Sequence, residues 1–366
     1  MNKIKRTRGI CLIMTFVIAA GLLLSACGGE KYDPNEDIET KTVTDDAGRK
    51  VEVAKDITQI APSGATATML LMTIAPEMLV GIASSPSREQ RPYVPEEIWY
   101  LPTFGQFYGA KSTLNMEALI DAEPQVVIDT GDRKATIKTD MDSIQKQTGI
   151  PTVFFEADLE HMAAAYRKLG ELLGKEEEAE ERAQFVEKTV EMANEKSALV
   201  AEEDKVTIMY GTGSTGLSVN AEESSQAQVI ELIGAKNAVV TDTITDAGGG
   251  TIMNMEGVYK IEPDVIVLAA GGPYDDMETN EWSELKAVKE GKYYEIPSLP
   301  YNWLSAPPSV NMVLGVWWLG QLVYPDIYND YDIVEVAKEY YKLFWHYDLT
   351  DEEANEMLSK STFKEQ

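Results

Sequence analysis

Residues 115–129 read NMEALIDAEPQVVID, and residues 254–268 read NMEGVYKIEPDVIVL. Both run N-M-E, five residues, E-P-x-V and two more apolar residues. An Asn ahead of a short periodic stretch opens a helix, and the Pro after it closes that helix and leads by an extended entry into a buried strand. Agreement at this many positions in register marks an internal duplication. The chain therefore reads as two versions of one unit, with Glu117 and Glu256 at equivalent places on the first turn of each repeated helix. An acidic side chain there complements the helix dipole by a few tenths of a kcal/mol, which by itself accounts for both glutamates.

Outward from the repeats, short β-like runs alternate with helical stretches. ITQIA (57–61), LVGIA (79–83), VVID (126–129) and TVFF (152–155) form one series, and VTIMY (206–210), VIVL (265–268) and YYEI (293–296) form a second. Such alternation predicts an α/β fold with mostly parallel sheets. Between the series, residues 176–200 contain neither Gly nor Pro, and Ala179, Ala183, Val186, Val190, Ala193 and Val200 recur at helical spacing. That stripe predicts a helix about 37 Å long bridging two similar lobes. The expected boundaries are a first lobe over 42–174, the bridging helix over 175–204 and a second lobe over 205–366, with TVTDDAGRKVEV (42–53) reading as a hairpin.

Composition narrows the function. Asp and Glu number 61 against 32 Lys and Arg, a net charge of −29 that repels phosphate backbones and argues against nucleic-acid binding. With two Cys and two His, most thiol and soft-metal chemistry is excluded. Residues 1–26 carry Lys3, Lys5, Arg6 and Arg8, then an apolar run from Gly9 to Leu24 broken only by Thr15, the pattern of a secretory signal. An uncleaved anchor is the alternative, but the run is shorter than the roughly 20 residues of a membrane span. Leu24-Ser25-Ala26-Cys27 resembles the bacterial lipobox, which implies lipidation of Cys27 and a polar tether over 27–41. Loss of those four basic residues would take the charge from −29 to −33.

In this order, the lipobox, the hairpin, IAPSGAT (60–66), the two repeats, VIELIGAKNAV (229–239), 297–326 and 340–354 resemble the substrate-binding lipoproteins of bacterial ABC importers that handle ferric siderophores, haem and cobalamin. The resemblance covers nearly all of the chain beyond residue 26. It implies two α/β lobes bridged by one long helix, with a ligand cleft between them. It also implies that one glutamate per lobe docks on arginines of a permease dimer, and the matching positions are Glu117 and Glu256.

The same resemblance implies that loops at strand ends line the cleft: Ser63 and Gly64, 84–109, 130–133, 211–215, 270–274 and 300–307. The ligand contacts expected within them are Ser63, Arg88, Phe104, Tyr108, Arg133, Tyr274 and Trp303, with Phe104, Arg133 and Trp303 foremost. Aromatic walls with a few cations suit a bulky anionic chelate. The expected cargo is thus an iron chelate of ferric siderophore type, with cobalamin, haem, and a small metal complex or oxyanion such as molybdate as rivals. Expected partners are the permease dimer with its ATPase subunits and, through the lipid, the extracytoplasmic face of the membrane. The chain is expected to be monomeric, without a cofactor.

Other motifs are weaker. GTGSTG (211–216) lacks the Gly-Lys-Ser/Thr ending of a phosphate loop. His161 and His346 are too few for a multi-histidine metal site, and packing accounts for His346 in its aromatic helix. An enzyme on this scaffold would need a Ser–His–Asp arrangement or Cys ligands, and the sequence offers neither.

Overall fold

The computed structural model describes residues 39–109, 112–240 and 251–362; the signal segment, Cys27 and most of the tether lie outside these. The chain is α/β with two lobes. The expected hairpin is β1 (Thr40–Thr44) antiparallel to β2 (Lys50–Ala54), starting two residues earlier than its pattern suggests. Gly48 supplies the left-handed turn at φ 74°. Arg49 anchors the hairpin, its guanidinium donating to Asp142 at 2.8 Å, Gln145 at 2.7 Å and the Thr152 carbonyl at 2.8 Å.

In the first lobe, β3 (Ile60–Pro62), β4 (Val126–Gly131) and β5 (Thr152–Glu156) form a parallel sheet in that order. Its helices are α1 (Ala65–Ile74), α2 (Met116–Asp121), α3 (Ile137–Thr148) and α4 (Met162–Leu173). LVGIA, expected as a strand, makes only isolated bridges from Ile82 to Thr103 and from Leu79 to Ile60. Burial explains its apolarity: Leu79 and Ile82 belong to the core, and the absent side chain of Gly81 makes room for the Phe104 ring.

The long helix α5 spans Glu176–Ser197, within the expected 175–204 and three residues short of the Gly- and Pro-free stretch 176–200, because the chain turns at 198–200. Glu176, Glu177 and Glu178 occupy its positive end and Lys196 its negative end. It packs against α4 of the first lobe and against α9 of the second (Asn311–Val323), where Trp317 Nε1 donates to Thr189 Oγ1 at 2.8 Å.

The second lobe contains β6 (Thr207–Thr212), β7 (Ser218–Val219), β8 (Lys236–Asn237), β9 (Thr251–Ile252), β10 (Val265–Leu268) and β11 (Tyr293–Glu295). β11, β10, β6 and β8 are parallel neighbours, and the short β7 and β9 add antiparallel pairing at one edge. Besides α9, its helices are α6 (Gln228–Leu232), α7 (Met255–Ile261), α8 (Lys286–Lys289), α10 (Ile333–Trp345) and α11 (Asp351–Leu358).

The duplication is visible in detail. Asn115 caps α2 by accepting from the Ala118 N–H at 3.2 Å, and Asn254 caps α7 by accepting from the Gly257 N–H at 2.8 Å. Each repeat then places a glutamate in the left-handed region, Glu123 at φ 48° and Glu262 at φ 41°, just before its proline. The sequence pattern suggested an extended entry there; the proline disfavours the right-handed helical conformation, and the left-handed one turns the chain into its strand. Asn115→Ala and Asn254→Ala are each expected to cost about 1 kcal/mol in urea denaturation, since each orphans a helix donor.

Candidate functional site

Parallel strands present ligand sites beyond their carboxyl ends. At the carboxyl end of the first sheet lies a cavity of about 400 Å³. Ser63 to Ala67 form one wall, where β3 runs into α1, and Asp129 to Asp132 with Lys134 form another beyond β4. Gln106, Tyr108 and Gly109 reach in from their loop. The second lobe closes the cavity with Ser225, Gln226, Pro307, Pro308 and Met312. The site therefore lies between the lobes.

Hydrogen bonds join the two lobes. Asp132 accepts from Ser225 Oγ and, at 3.0 Å, from Gln228 Nε2, while Gln228 Oε1 accepts from the Leu159 N–H at 3.0 Å. Ser309 Oγ donates to the Thr66 carbonyl at 3.3 Å, and Gln90 Nε2 to the Pro300 carbonyl at 2.8 Å.

Two features suit an anion. Helix α1 opens at Gly64 without a side-chain cap or an acidic residue in its first turn, and the Ala65 N–H has only a long, 3.4 Å bond to Gln106 Oε1. Its positive end is thus open to the cavity. Lys134 adds a cation. Among the described residues, the hydroxyl of Thr130, a residue of this wall, is one of the few buried side-chain groups without a hydrogen-bond partner.

Asp129 sits in the midst of these groups. It is buried, and both of its oxygens are engaged: Ser63 Oγ donates to Oδ1, and Tyr108 Oη donates to Oδ2 at 2.7 Å. Burial pushes its carboxyl up to about 6 against the opposing effect of the two hydroxyl donors. Burial and the Asp129 charge together hold the Tyr108 phenol far above its ordinary range.

Of the expected ligand contacts, the cavity brings together Ser63 and Tyr108. Arg133 is exposed and lines no part of it, and the neighbouring Lys134 takes the inward place. Arg88 is also exposed, outside the cavity. Phe104 is fully buried in the first-lobe core against Gly81, and Trp303 is 2% exposed, with its carbonyl pressed on Gly315. Tyr274 is half-buried beside Tyr293 at 5.4 Å between ring centroids, under the Lys360 ammonium. The 84–109 and 300–307 aromatics thus mostly serve packing. Parts of those loops border a second cavity of about 820 Å³, which Glu89, Glu295, Glu353 and Glu356 ring with Lys360.

Glu117 and Glu256 are exposed on the first turns of α2 and α7. His346 ends α10 in a left-handed cap, with Nε2 3.3 Å from the buried Arg182 guanidinium. Glu156, Asp158 and His161 gather their donor atoms within 4.8 Å of one another, a juxtaposition that counting histidines did not anticipate. Sequence reasoning passed over Asp129, Thr130 and Lys134 as separate contacts. The available signal was an acid closing the apolar run VVID directly ahead of TGDRK.

The sequence pattern of the periplasmic binding protein family matches residues 60–300. YhfQ of Bacillus subtilis, itself only provisionally assigned as an ABC transporter substrate-binding lipoprotein, is 22% identical over 318 residues, spanning 83% of this chain and 95% of its own. Among solved structures, the ABC transporter solute binding protein from Sulfurospirillum deleyianum superposes with a TM-score of 0.80 at 23% identity, covering 87% of this chain and 99% of that one. MolA of Haemophilus influenzae, bound to molybdate, does so with a TM-score of 0.68 at 17% identity, over 85% and 99%. At such identities these structures speak for the fold alone.

Proposed function

This chain belongs to the periplasmic binding protein family and is the solute-binding component of an ABC transporter, and from that premise we propose that its cargo is a compact oxyanion or small anionic metal complex held in the 400 Å³ interlobe cavity. The observation that carries this reading is the lining: an uncapped helix N-terminus, the unpaired Thr130 hydroxyl and Lys134, with Tyr108 as the cavity's aromatic. A bulky ferric chelate would call for stacked rings and arginine forks, yet Phe104 and Trp303 lie in the core and Arg88 and Arg133 lie outside the cavity. That lining favours the oxyanion rival over the iron chelate. Among the relatives, MolA carries molybdate.

The receptor role completes the proposal. Cys27 carries the lipid that tethers a monomer to the extracytoplasmic face of a bacterial membrane, and no helix of the described residues is long and apolar enough to cross one. Glu117 and Glu256 dock on the permease dimer, whose ATPase subunits supply the energy. This chain contributes affinity and selection, without catalysis.

Calorimetric titration of residues 28–366 with molybdate, tungstate, sulfate, a ferric catecholate, a ferric hydroxamate, haem and cobalamin tests the cargo. Saturation by an oxyanion is expected, and saturation by a ferric chelate alone would overturn the reading. Lys134→Glu is expected to weaken the oxyanion by at least about tenfold, the loss of one charge-assisted hydrogen bond. Arg133→Glu, on the exposed neighbour, is expected to stay within about twofold.

A further inference from the structure

An ionised carboxylate in the middle of an oxyanion site is a contradiction that hydrogen-bond bookkeeping resolves. A hydroxyl has one hydrogen to give. With Asp129 ionised, Ser63 and Tyr108 both spend theirs on its two oxygens, so they turn only lone pairs toward the cavity. An oxyanion, which also offers only lone pairs, then meets three repelling groups along one wall. With a proton on Asp129, the carboxyl O–H donates to one of the two hydroxyl oxygens, and that hydroxyl's own hydrogen is released to the ligand. One proton thus converts the Ser63–Asp129–Tyr108 wall from acceptor to donor, beside the already unpaired Thr130 hydroxyl.

We propose that Asp129 couples cavity occupancy to a proton, so that an oxyanion binds together with one proton taken from solvent onto the Asp129 carboxyl. This rests on the oxyanion reading above. One bond to hydrogen breaks in a solvent hydronium or buffer acid and one O–H bond forms on the carboxyl, and the exchange reverses when the ligand leaves.

The surroundings agree. Among the described residues, the titratable groups on the elements packed around Asp129 are Tyr108 on its loop, Asp132, Arg133 and Lys134 beyond β4, Lys138, Asp140, Asp142 and Lys146 in α3, and Glu156 at the end of β5. Among the described residues of the second lobe, those lining the cavity are Ser225, Gln226, two prolines and Met312, none of which titrates as a carboxyl or amine. Asp140 adds to the repulsion of charge on Asp129, and Asp132 is held by Ser225 and Gln228. Burial, aided by Asp140 and opposed by the Ser63 and Tyr108 hydrogen bonds, already lifts Asp129 to about 6. The ligand prefers the protonated form, so affinity is full below that value and falls as pH rises through it, by about tenfold per unit. The coupling therefore favours loading in mildly acidic surroundings and release in alkaline ones.

The test is calorimetry with molybdate, a dianion throughout the range, from about pH 6 to pH 8, in buffers of differing ionisation enthalpy. A loss of affinity of about 50-fold over the range is expected, with net uptake near one proton per ligand at the alkaline end. Asp129→Asn should flatten the pH profile and abolish the proton uptake. Wild-type affinity that is flat with pH and free of proton uptake would overturn the inference and leave the oxyanion reading standing. Failure to bind molybdate, tungstate or sulfate at any pH would overturn the oxyanion reading and the inference with it. The wild-type buffer series decides the matter even if Asp129→Asn does not fold.

Discussion

Replacing both Glu117 and Glu256 with alanine is expected to stop uptake by cells while leaving the purified protein's ligand affinity within about twofold. Both carboxylates are exposed on the first turns of duplicated helices, outside the cavity lining. In the proposed docking, two related acids of a duplicated lobe would meet two related surfaces of a permease dimer. The substitutions remove one favourable helix-dipole contact each, worth a few tenths of a kcal/mol, so the fold should survive. Each single variant should retain partial transport, because one docking point remains. Transport at the wild-type rate by the double variant would sink the docking assignment, and lost affinity in the purified protein would move these glutamates into the binding site.

Phe104→Ala is expected to lower stability by about 3–5 kcal/mol, with the affinity of the folded protein nearly unchanged. The ring is fully buried and occupies the space above Gly81, where an added Cβ would lie 2.1 Å from its Cζ. Its backbone also carries structure in both directions: the Phe104 N–H donates to Ile82 O at 2.7 Å, and its carbonyl accepts from the Asn115 N–H at 2.8 Å. Those bonds survive the substitution, so the deficit is one of packing. Gly81→Ala should be destabilising alone, by overpacking, and nearly harmless beside Phe104→Ala, where it fills part of the void. Urea denaturation of the four proteins reads this coupling. Unaltered stability with strongly reduced ligand affinity would place Phe104 at the ligand.

Patterns that repeat along the chain were legible from sequence. The N-M-E…E-P repeat marked both lobes, because a cap, an apolar spacing and a proline act within about ten residues of each other. The long helix was legible for the same reason, and it ends three residues short of the 176–200 stretch because helix termini fray into turns on weak local signals. LVGIA misled because burial, and not strand pairing, makes it apolar.

The sequence by itself determined that this is a duplicated α/β protein with a long helix between its halves, that it is strongly acidic, and that 63–64 and 130–133 lie at strand ends. Only the tertiary structure decided which side chains share a cavity. Arg133 and Lys134 are adjacent and both cationic, yet the turn after β4 sends one to solvent and the other inward. Phe104 and Trp303 carry the same aromatic signal in a wall or in a core, and packing against Gly81 and Gly315 settles it. Asp129 draws its character from Ser63, 66 residues away, and from Tyr108, 21 residues away. A carboxyl's surroundings are set by the convergence of distant segments, and local periodicity carries no record of that convergence.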